Sequence, residues 1–200
     1  MYYINYLILI TFLLGGCAEN PSNKSLSPPA TQTVKAIQDV AKQEIALYGK
    51  AITYLNNKQY DQAETILNSI TKKRPQLAGP WANLALIDIK NKQLDKAKNE
   101  LNKAISLDPG MSQAYNLLGY IEKQNGNINK AIVYYLQAID KNPDYAIAHY
   151  NVALLYDIYL QDIPDAIKHY KRYLEINHDQ DKKTADWVAE LERTIKQGEL

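Results

Sequence analysis

The apolar residues of this chain recur with two periods, a short one typical of helices and a long one of 34 residues. Trp81, Leu84 and Ala85 show the short period, since positions i, i+3 and i+4 share one face of a helix. The long spacing separates Ala63, Ala97 and Ala131, and likewise Pro75, Pro109 and Pro143. A fixed period of this length predicts paired helices stacked into a solenoid. No alternating strand pattern competes with it, so the chain is predicted to be all-α.

The long period divides the chain into four helix-turn-helix repeats, at about 44–77, 78–111, 112–145 and 146–180. Each of the first three ends in a proline, which stops a helix because it lacks an N–H group. Small residues such as Ala85 and Gly119 let two helices approach closely, and large ones such as Tyr135 fill the gaps beside them. The fourth repeat departs from the pattern, because it carries one extra residue before Ala166 and lacks the closing proline.

A lead-in helix is predicted before the repeats, because the apolar residues between Thr33 and Asn56 have helical spacing. A repeat at the end of a solenoid has no neighbour on one side, so its apolar face needs a cover. The lead-in helix is expected to supply that cover for the first repeat.

A closing helix is predicted at about 184–197, where Trp187, Leu191 and Ile195 recur four residues apart. This helix is expected to cover the fourth repeat, with a helix that docks a partner as the alternative. Its expected N-cap is Thr184 or Asp186, and Gly198 is expected to follow its end.

The amino terminus has the pattern of an export signal. Residues 1–16 contain an apolar run from Leu7 to Leu14, which is too short to span a bilayer but suits the core of a signal peptide. The sequence Leu14-Gly15-Gly16-Cys17 resembles the bacterial lipobox, which implies that Cys17 is lipidated and begins the mature protein. Acyl chains on one residue would anchor the chain to a membrane.

Residues 17–32 are predicted to form a flexible tether after the lipid, since they are rich in Asn, Pro, Ser and Thr. Position 18 is Ala and not Asp, which in Gram-negative lipoproteins implies export to the outer membrane. The resemblance therefore implies a lipid-anchored protein that faces the periplasm.

The repeats resemble those of the tetratricopeptide family. The family pattern is clearest in the third repeat, which carries Tyr115, Leu118, Gly119, Ala131, Tyr135, Ala138 and Pro143. The resemblance implies a right-handed superhelical solenoid of about four repeats within residues 33–200. Such solenoids hold other proteins and rarely carry catalytic equipment.

Composition and motifs exclude several other functions. The 23 basic and 22 acidic residues nearly balance, which argues against a nucleic-acid partner. No nucleophile, metal or cofactor motif is found, so no cofactor is expected and the chain is predicted not to be an enzyme. His149 takes a large-residue packing position and is expected in the core. His169 and His178 have no partner at metal-ligand spacing.

The family resemblance also implies where a partner binds, because certain positions of each first helix face the concave groove. Carried over to this chain, these are Tyr48, Ile52, Leu55, Ala82, Leu86, Ile89, Asn116, Tyr120, Lys123, Tyr150, Leu154 and Asp157. Their chemistry suggests an amphipathic helix or an apolar extended segment of an envelope protein as the occupant. The alternatives are that these residues pack between helices or that the lead-in helix or tether fills the groove. The Lys and Asn of co-chaperone domains that clamp a carboxylate are absent.

The sequence thus predicts a membrane-anchored lipoprotein that scaffolds a cell-envelope complex. The alternatives are a pilotin-like factor for secretins of type IV pili, an adaptor or activator of peptidoglycan hydrolases, and a lipoprotein that accompanies TonB systems. Direct glycan binding through Trp81 or Trp187 is a further alternative. The closing helix is a candidate for a homodimer contact.

Overall fold

The computed structural model describes the backbone of residues 29–198 and the side chains of residues 42–198. Within that part of the chain all secondary structure is helical, as the sequence predicted. The α-helices are α1 Pro29–Asn56, α2 Tyr60–Lys73, α3 Ala78–Lys90, α4 Leu94–Leu107, α5 Ser112–Gln124, α6 Ile128–Lys141, α7 Ala146–Leu155, α8 Ile163–Ile176 and α9 Lys182–Gln197. A π-helical turn, Tyr156–Leu160, follows α7. The predicted signal peptide and Cys17 lie outside the described residues.

The lead-in helix and the first helix of the first repeat are one continuous helix, α1. It begins at Pro29, so residues 29–32 are helical and the predicted tether is too long at that end. Proline suits this place because the first turn of a helix has no use for its missing N–H. Residues 41–198 form one compact unit.

Helices pair in chain order, and each pair packs against the next. The pairs α3–α4, α5–α6 and α7–α8 have the most extensive contacts, and α9 closes the series against α8. This arrangement is an all-α helical-repeat solenoid, the architecture that the 34-residue period predicted.

The core of each pair joins a small residue on the first helix to a large residue on the second. Ala51 packs in one cluster with Leu67, and Ala85 packs in another with Leu101. In the third pair the small residue is Gly119, and its larger partner is Tyr135. The sizes compensate, so both helices keep the same close approach while the space between them stays filled.

The turn inside each repeat uses one residue with a left-handed backbone, the geometry that commonly ends a helix. These residues are Lys58, Lys92, Gly126 and Gln161, with φ of 59°, 62°, 78° and 54°. Their spacing is 34, 34 and then 35 residues, so the extra residue of the fourth repeat precedes Gln161. The π turn accommodates it, because a π turn holds one more residue than an α turn.

The fourth repeat still closes normally after the π turn. The Asp162 carboxylate accepts the Asp165 N–H and caps α8, with Pro164 in the first turn, as the sequence predicted. Ala153, Ala166 and Tyr170 then form one buried cluster with Val188 and Leu191 of the closing helix.

The predicted N-cap of the closing helix is wrong. The helix begins at Lys182, and Asp181 caps it by accepting both the backbone N–H and the hydroxyl of Thr184. A carboxylate before the first turn satisfies two donors there and favours the positive end of the helix. Gly198 follows the helix with φ of 72°, as the sequence predicted.

Replacing Gly119 by alanine should lower the free energy of unfolding by about 2 kcal/mol, the usual cost of overpacking a core. A Cβ atom there would lie 2.6 Å from two ring atoms of Tyr135, whose side chain is fully buried. Urea unfolding followed by circular dichroism measures the change.

The matched control is Gly49→Ala, since a Cβ at that helical position meets nothing within 4 Å. It should raise the free energy of unfolding by about 0.5–1 kcal/mol through helix propensity alone. Equal effects of the two variants would contradict the packing described here.

Candidate functional site

The candidate site is the surface formed by the first helices of the four repeats, α1, α3, α5 and α7. Two amide–side-chain hydrogen bonds tie successive first helices together at equivalent places. Asn83 Nδ2 donates to Tyr48 Oη at 2.7 Å, and Asn151 Nδ2 donates to Asn116 Oδ1 at 2.9 Å. These bonds satisfy polar groups on the surface and leave the side chains around them mainly apolar.

Most of the predicted partner-binding residues are partly exposed on this surface. They are Tyr48, Ile52, Leu55, Leu86, Tyr120, Lys123, Tyr150, Leu154 and Asp157. Ala82, Ile89 and Asn116 are buried, which leaves them little surface to offer a partner. Ile89 belongs to the buried cluster that includes Leu118, and Asn116 is held by its bond to Asn151. We call the partly exposed set the first-helix surface.

The two charged members of the first-helix surface are engaged within the chain. The Lys123 ammonium lies 5.5 Å from the ring centroid of Tyr120, a cation–π contact. Asp157 Oδ2 accepts the Trp187 Nε1–H at 2.8 Å and the Tyr170 hydroxyl at 3.2 Å. Asp157 therefore joins the fourth repeat to the closing helix.

A cavity of about 270 Å³ lies where the fourth repeat meets the closing helix. Tyr150, Leu154 and Asp157 line it from α7 and the π turn, and Trp187 lines it from α9. The sequence did not reveal this cavity. The residues that line it lie on α7, the π turn, α8 and α9, and only the packing of these elements brings them together.

At the edge of the cavity, three consecutive apolar side chains are exposed on the π turn, and the first of them, Ile158, lines the cavity. Ile158, Tyr159 and Leu160 are 62%, 55% and 45% exposed, and Trp187 is 46% exposed. The corresponding turns of the other repeats are polar, as in Gln124–Asn127. Large apolar residues grouped on a protein surface mark sites of interaction. The contrast between the turns is a sequence signal that could have identified this place.

Beneath the first-helix surface, buried carboxylates link neighbouring helices through ion pairs and hydrogen bonds. Glu122 accepts hydrogen bonds from Lys98 at 2.6 Å and from Asn127 at 2.8 Å, and it pairs with Lys130 at 3.2 Å. Burial alone would raise the pKa of Glu122, but these three partners outweigh it and lower the pKa to about 2. Glu122 is thus a permanent charge that links three helices, and its role is structural.

The equivalent residue of the second repeat, Asp88, has a poorer set of partners. Lys96 lies 3.0 Å from Asp88 Oδ1, but the position that corresponds to Lys98 is Glu64. Asp88 Oδ2 and Glu100 Oε2 are both buried without a hydrogen-bond partner. Burial, and then the neighbouring Asp88, raise the pKa of Glu100 to about 8. A proton on Glu100 gives these two acceptors a donor.

His149 and His169 form a buried pair, although the sequence suggested no partner for His169. Their Nδ1 atoms lie 3.0 Å apart, and His149 Nε2 lies 3.1 Å from the Pro143 carbonyl oxygen. The carbonyl only accepts, so His149 Nε2 carries the hydrogen, and His169 Nδ1–H then donates to His149 Nδ1. Tyr156 stacks on His169. The core position predicted for His149 is confirmed.

Burial holds the pKa of His169 down to about 4, and it lowers the pKa of His149 as well. Both rings are therefore neutral at pH 7 and serve packing. Among the described residues, no group of three or more His, Cys, Asp or Glu side chains is arranged to hold a metal ion. Nor does any described helix combine the length and the apolar character that crossing a membrane requires.

Several solved protein structures resemble this chain. Solved tetratricopeptide structures share the fold. Pseudomonas aeruginosa PilF aligns at TM-score 0.67 and 20% identity, and the alignment covers 80% of this chain and 71% of PilF. MamA from Desulfovibrio magneticus aligns at TM-score 0.56 and 24% identity, covering 69% and 77%. The Thermus thermophilus tetratricopeptide protein TTC0263 aligns at 0.62 and 19%, covering 80% and 87%. The fold is that of a tetratricopeptide-repeat protein.

A family model also matches more than half of the sequence. The model of the family described as the tetratricopeptide repeat protein 21 C-terminal ARM domain matches residues 22–156, and the chain belongs to this family. No curated protein matches the chain in a sequence search. These three solved structures are each less than 25% identical to the chain, so they establish the fold alone.

Replacing Glu100 by glutamine should remove a pH dependence of stability. The pKa of Glu100 is about 8 in the folded chain, above its usual 4.5. The folded state therefore binds the proton more tightly, and this contribution to stability is present below pH 4.5 and is lost as pH rises towards 8. Glu100→Gln keeps a neutral donor beside Asp88, so it should be more stable than the parent chain at pH 8.5.

Urea unfolding of both proteins between pH 5 and 9 measures this difference. Asp95→Asn is the control, because Asp95 is an exposed acid on the same helix. A parallel pH dependence in the parent and Glu100→Gln would show that Glu100 ionises normally.

Proposed function

We propose that this protein is a membrane-anchored, non-enzymatic scaffold or assembly factor of a cell-envelope complex. In this proposal a segment of a partner protein binds along the first-helix surface. The observation that carries the proposal is the series of partly exposed apolar and aromatic residues repeated on four successive first helices. Tetratricopeptide solenoids use extended surfaces of this kind to hold other proteins.

The chemistry of the surface selects the partner segment. Ile52, Leu86 and Leu154 are apolar, and Tyr48 and Tyr120 add aromatic rings with a polar edge. The charges nearby, Lys123 and Asp157, are already in intramolecular contacts. An amphipathic helix whose apolar face lies on this surface fits it better than a highly charged peptide.

The membrane anchor in this proposal depends on Cys17, the one cysteine of the chain, within the lipobox-like sequence. With the lipid in the outer membrane, the solenoid would face the periplasm. A pilotin-like role in secretin assembly and a role as adaptor or activator of peptidoglycan hydrolases are narrower forms of the same proposal. They differ in the protein that is captured.

Photo-crosslinking in cells tests the partner-binding surface. A photoreactive amino acid at position 86 or 120 should capture the same envelope protein, because both side chains lie partly exposed on adjacent first helices. The same amino acid in place of Gln137, an exposed residue of the second helix α6, is the matched control. Mass spectrometry identifies the product.

A second arm removes the apolar character of the surface. Leu86→Glu with Tyr120→Glu should reduce crosslinking from position 52 by at least about tenfold, because two carboxylates oppose burial under an apolar segment. Circular dichroism must show unchanged helix content. Capture from 137 but not from 86 or 120 would contradict the proposed surface, and capture of residues 17–40 would identify a segment of the chain itself as the occupant.

Metabolic labelling with palmitate tests the anchor. The parent chain should incorporate label and sediment with membranes, whereas Cys17→Ser should do neither, because it lacks the thiol that receives the lipid. Membrane association that persists in Cys17→Ser would contradict lipid anchoring at this residue. That result would not bear on the partner-binding surface, which the crosslinking experiment tests.

A further inference from the structure

The cavity between the fourth repeat and the closing helix combines aromatic rings with a carboxylate. Tyr150, Tyr170 and Trp187 line it, and Asp157 lies among them. Aromatic rings attract a cation to their faces, and a carboxylate attracts it by charge. This composition is typical of sites that bind an ammonium group.

Hydrogen bonds and ring contacts hold these side chains in place without a ligand. Asp157 Oδ2 accepts hydrogen bonds from both Trp187 and Tyr170, at 2.8 and 3.2 Å. The Tyr150 ring contacts Tyr170 edge-on, with centroids 5.8 Å apart, and lies 5.0 Å from the Tyr173 ring. A site that is already arranged loses less entropy when a ligand binds.

Two charged side chains of opposite sign line the cavity, Asp157 and Lys183, and only Asp157 is hydrogen-bonded to its aromatic rings. Lys183 is the basic residue that borders the cavity, yet its ammonium lies over none of the rings. The cation–π contacts of the described chain are those of Lys50 with Tyr54 and of Lys123 with Tyr120. The nearby start of α9 could attract an anion, but the Asp181 carboxylate already accepts the Thr184 N–H there.

The apolar residues around the cavity indicate that the ammonium belongs to a longer chain. Ile158 lines the cavity and is mostly exposed, and Tyr159 and Leu160 continue the apolar surface beyond it. A free ammonium ion would not cover these residues. A peptide that places one side chain in the cavity would bury them with its neighbouring residues.

We propose that this cavity binds the alkylammonium group of a lysine side chain that the partner protein presents. The inference rests on the proposed function, since it names the chemistry with which one part of the partner segment is recognised. The methylene groups of the lysine would contact Leu154 and Ile158, and its ammonium would lie among the rings and Asp157.

A fluorescence titration with a lysine analogue tests the site. The chain has two tryptophans, so Trp81→Phe leaves Trp187 as the single reporter beside the cavity. N-acetyl-lysine methylamide should change this fluorescence saturably at constant ionic strength. N-acetyl-norleucine methylamide, which keeps the methylenes and lacks the charge, should bind at least about tenfold more weakly. If Trp81→Phe does not fold, NMR shifts of the Ile158 and Leu154 methyl groups in the parent chain give the same comparison.

Two substitutions separate the charge from the shape of the cavity. Asp157→Asn keeps an oxygen that accepts from Trp187, yet it should weaken lysine binding about tenfold by removing the negative charge. Lys183→Gln should strengthen binding two- to fivefold, on the order expected for a like charge in water. Asp165→Asn changes a partly exposed acid of α8 that does not line the cavity, and it should leave lysine binding unchanged.

Equal binding of lysine and norleucine analogues would overturn the proposal in favour of an apolar cavity. Weaker binding in Lys183→Gln, or tighter binding of N-acetyl-glutamate methylamide, would show that the site prefers anions. Choline binding more than tenfold tighter than the lysine analogue would assign the site to quaternary ammonium compounds instead of a protein. Crosslinking from positions 86 and 120 does not report on this cavity, so failure of the lysine site and failure of the partner-binding surface give different results.

Discussion

The close approach of the two helices in each repeat depends on the contact between a small residue on the first and a large residue on the second. This contact recurs from Ala51 with Leu67 to Gly119 with Tyr135. It fixes the spacing within a pair, and because every pair packs on the next, it fixes the spacing of successive first helices. The partly exposed residues of the first-helix surface owe their even placement to it.

The fourth repeat shows how one extra residue changes a surface without breaking the fold. The π turn accommodates the insertion, and α8 then pairs with α7 as in the other repeats. The cost is three exposed apolar side chains where the other turns are polar. The same place carries Asp157, which binds the closing helix through Trp187. A structural insertion, an exposed apolar turn and a cavity thus coincide at one end of the repeats.

The sequence allowed the helices and their pairing to be predicted, because a 34-residue period reports which residues face each other. It also allowed the Asp162 cap to be predicted, since a cap acts within one turn. The prediction of the N-cap of α9 was wrong. Asp181, Thr184 and Asp186 all offer side-chain oxygens, and only the residue at which the helix begins decides which of them is the cap. The burial of Ala82, Ile89 and Asn116 depends on how far neighbouring helices overlap, which a family register does not specify.

Contacts between distant residues were the least accessible to sequence reasoning. His149 and His169 meet although they lie 20 residues apart, a separation that no helical periodicity relates. Asp88 and Glu100 each have a carboxyl oxygen without a hydrogen-bond partner. The cause is seen only when the repeats are compared position by position: Glu64 stands where the other repeat has Lys98, which pairs with Glu122. Such features reflect how particular repeats deviate from the family pattern.

The central claim is that the first-helix surface is open to a partner in the isolated protein. Solvent paramagnetic relaxation of methyl groups, measured on the full chain with a neutral soluble probe, tests it most directly. The methyl groups of Ile52, Leu86 and Leu154 should relax strongly, whereas those of the fully buried Leu67 and Leu101 should not. Protection of Ile52, Leu86 and Leu154 to the level of Leu67 would show that the surface is covered, and would contradict the account.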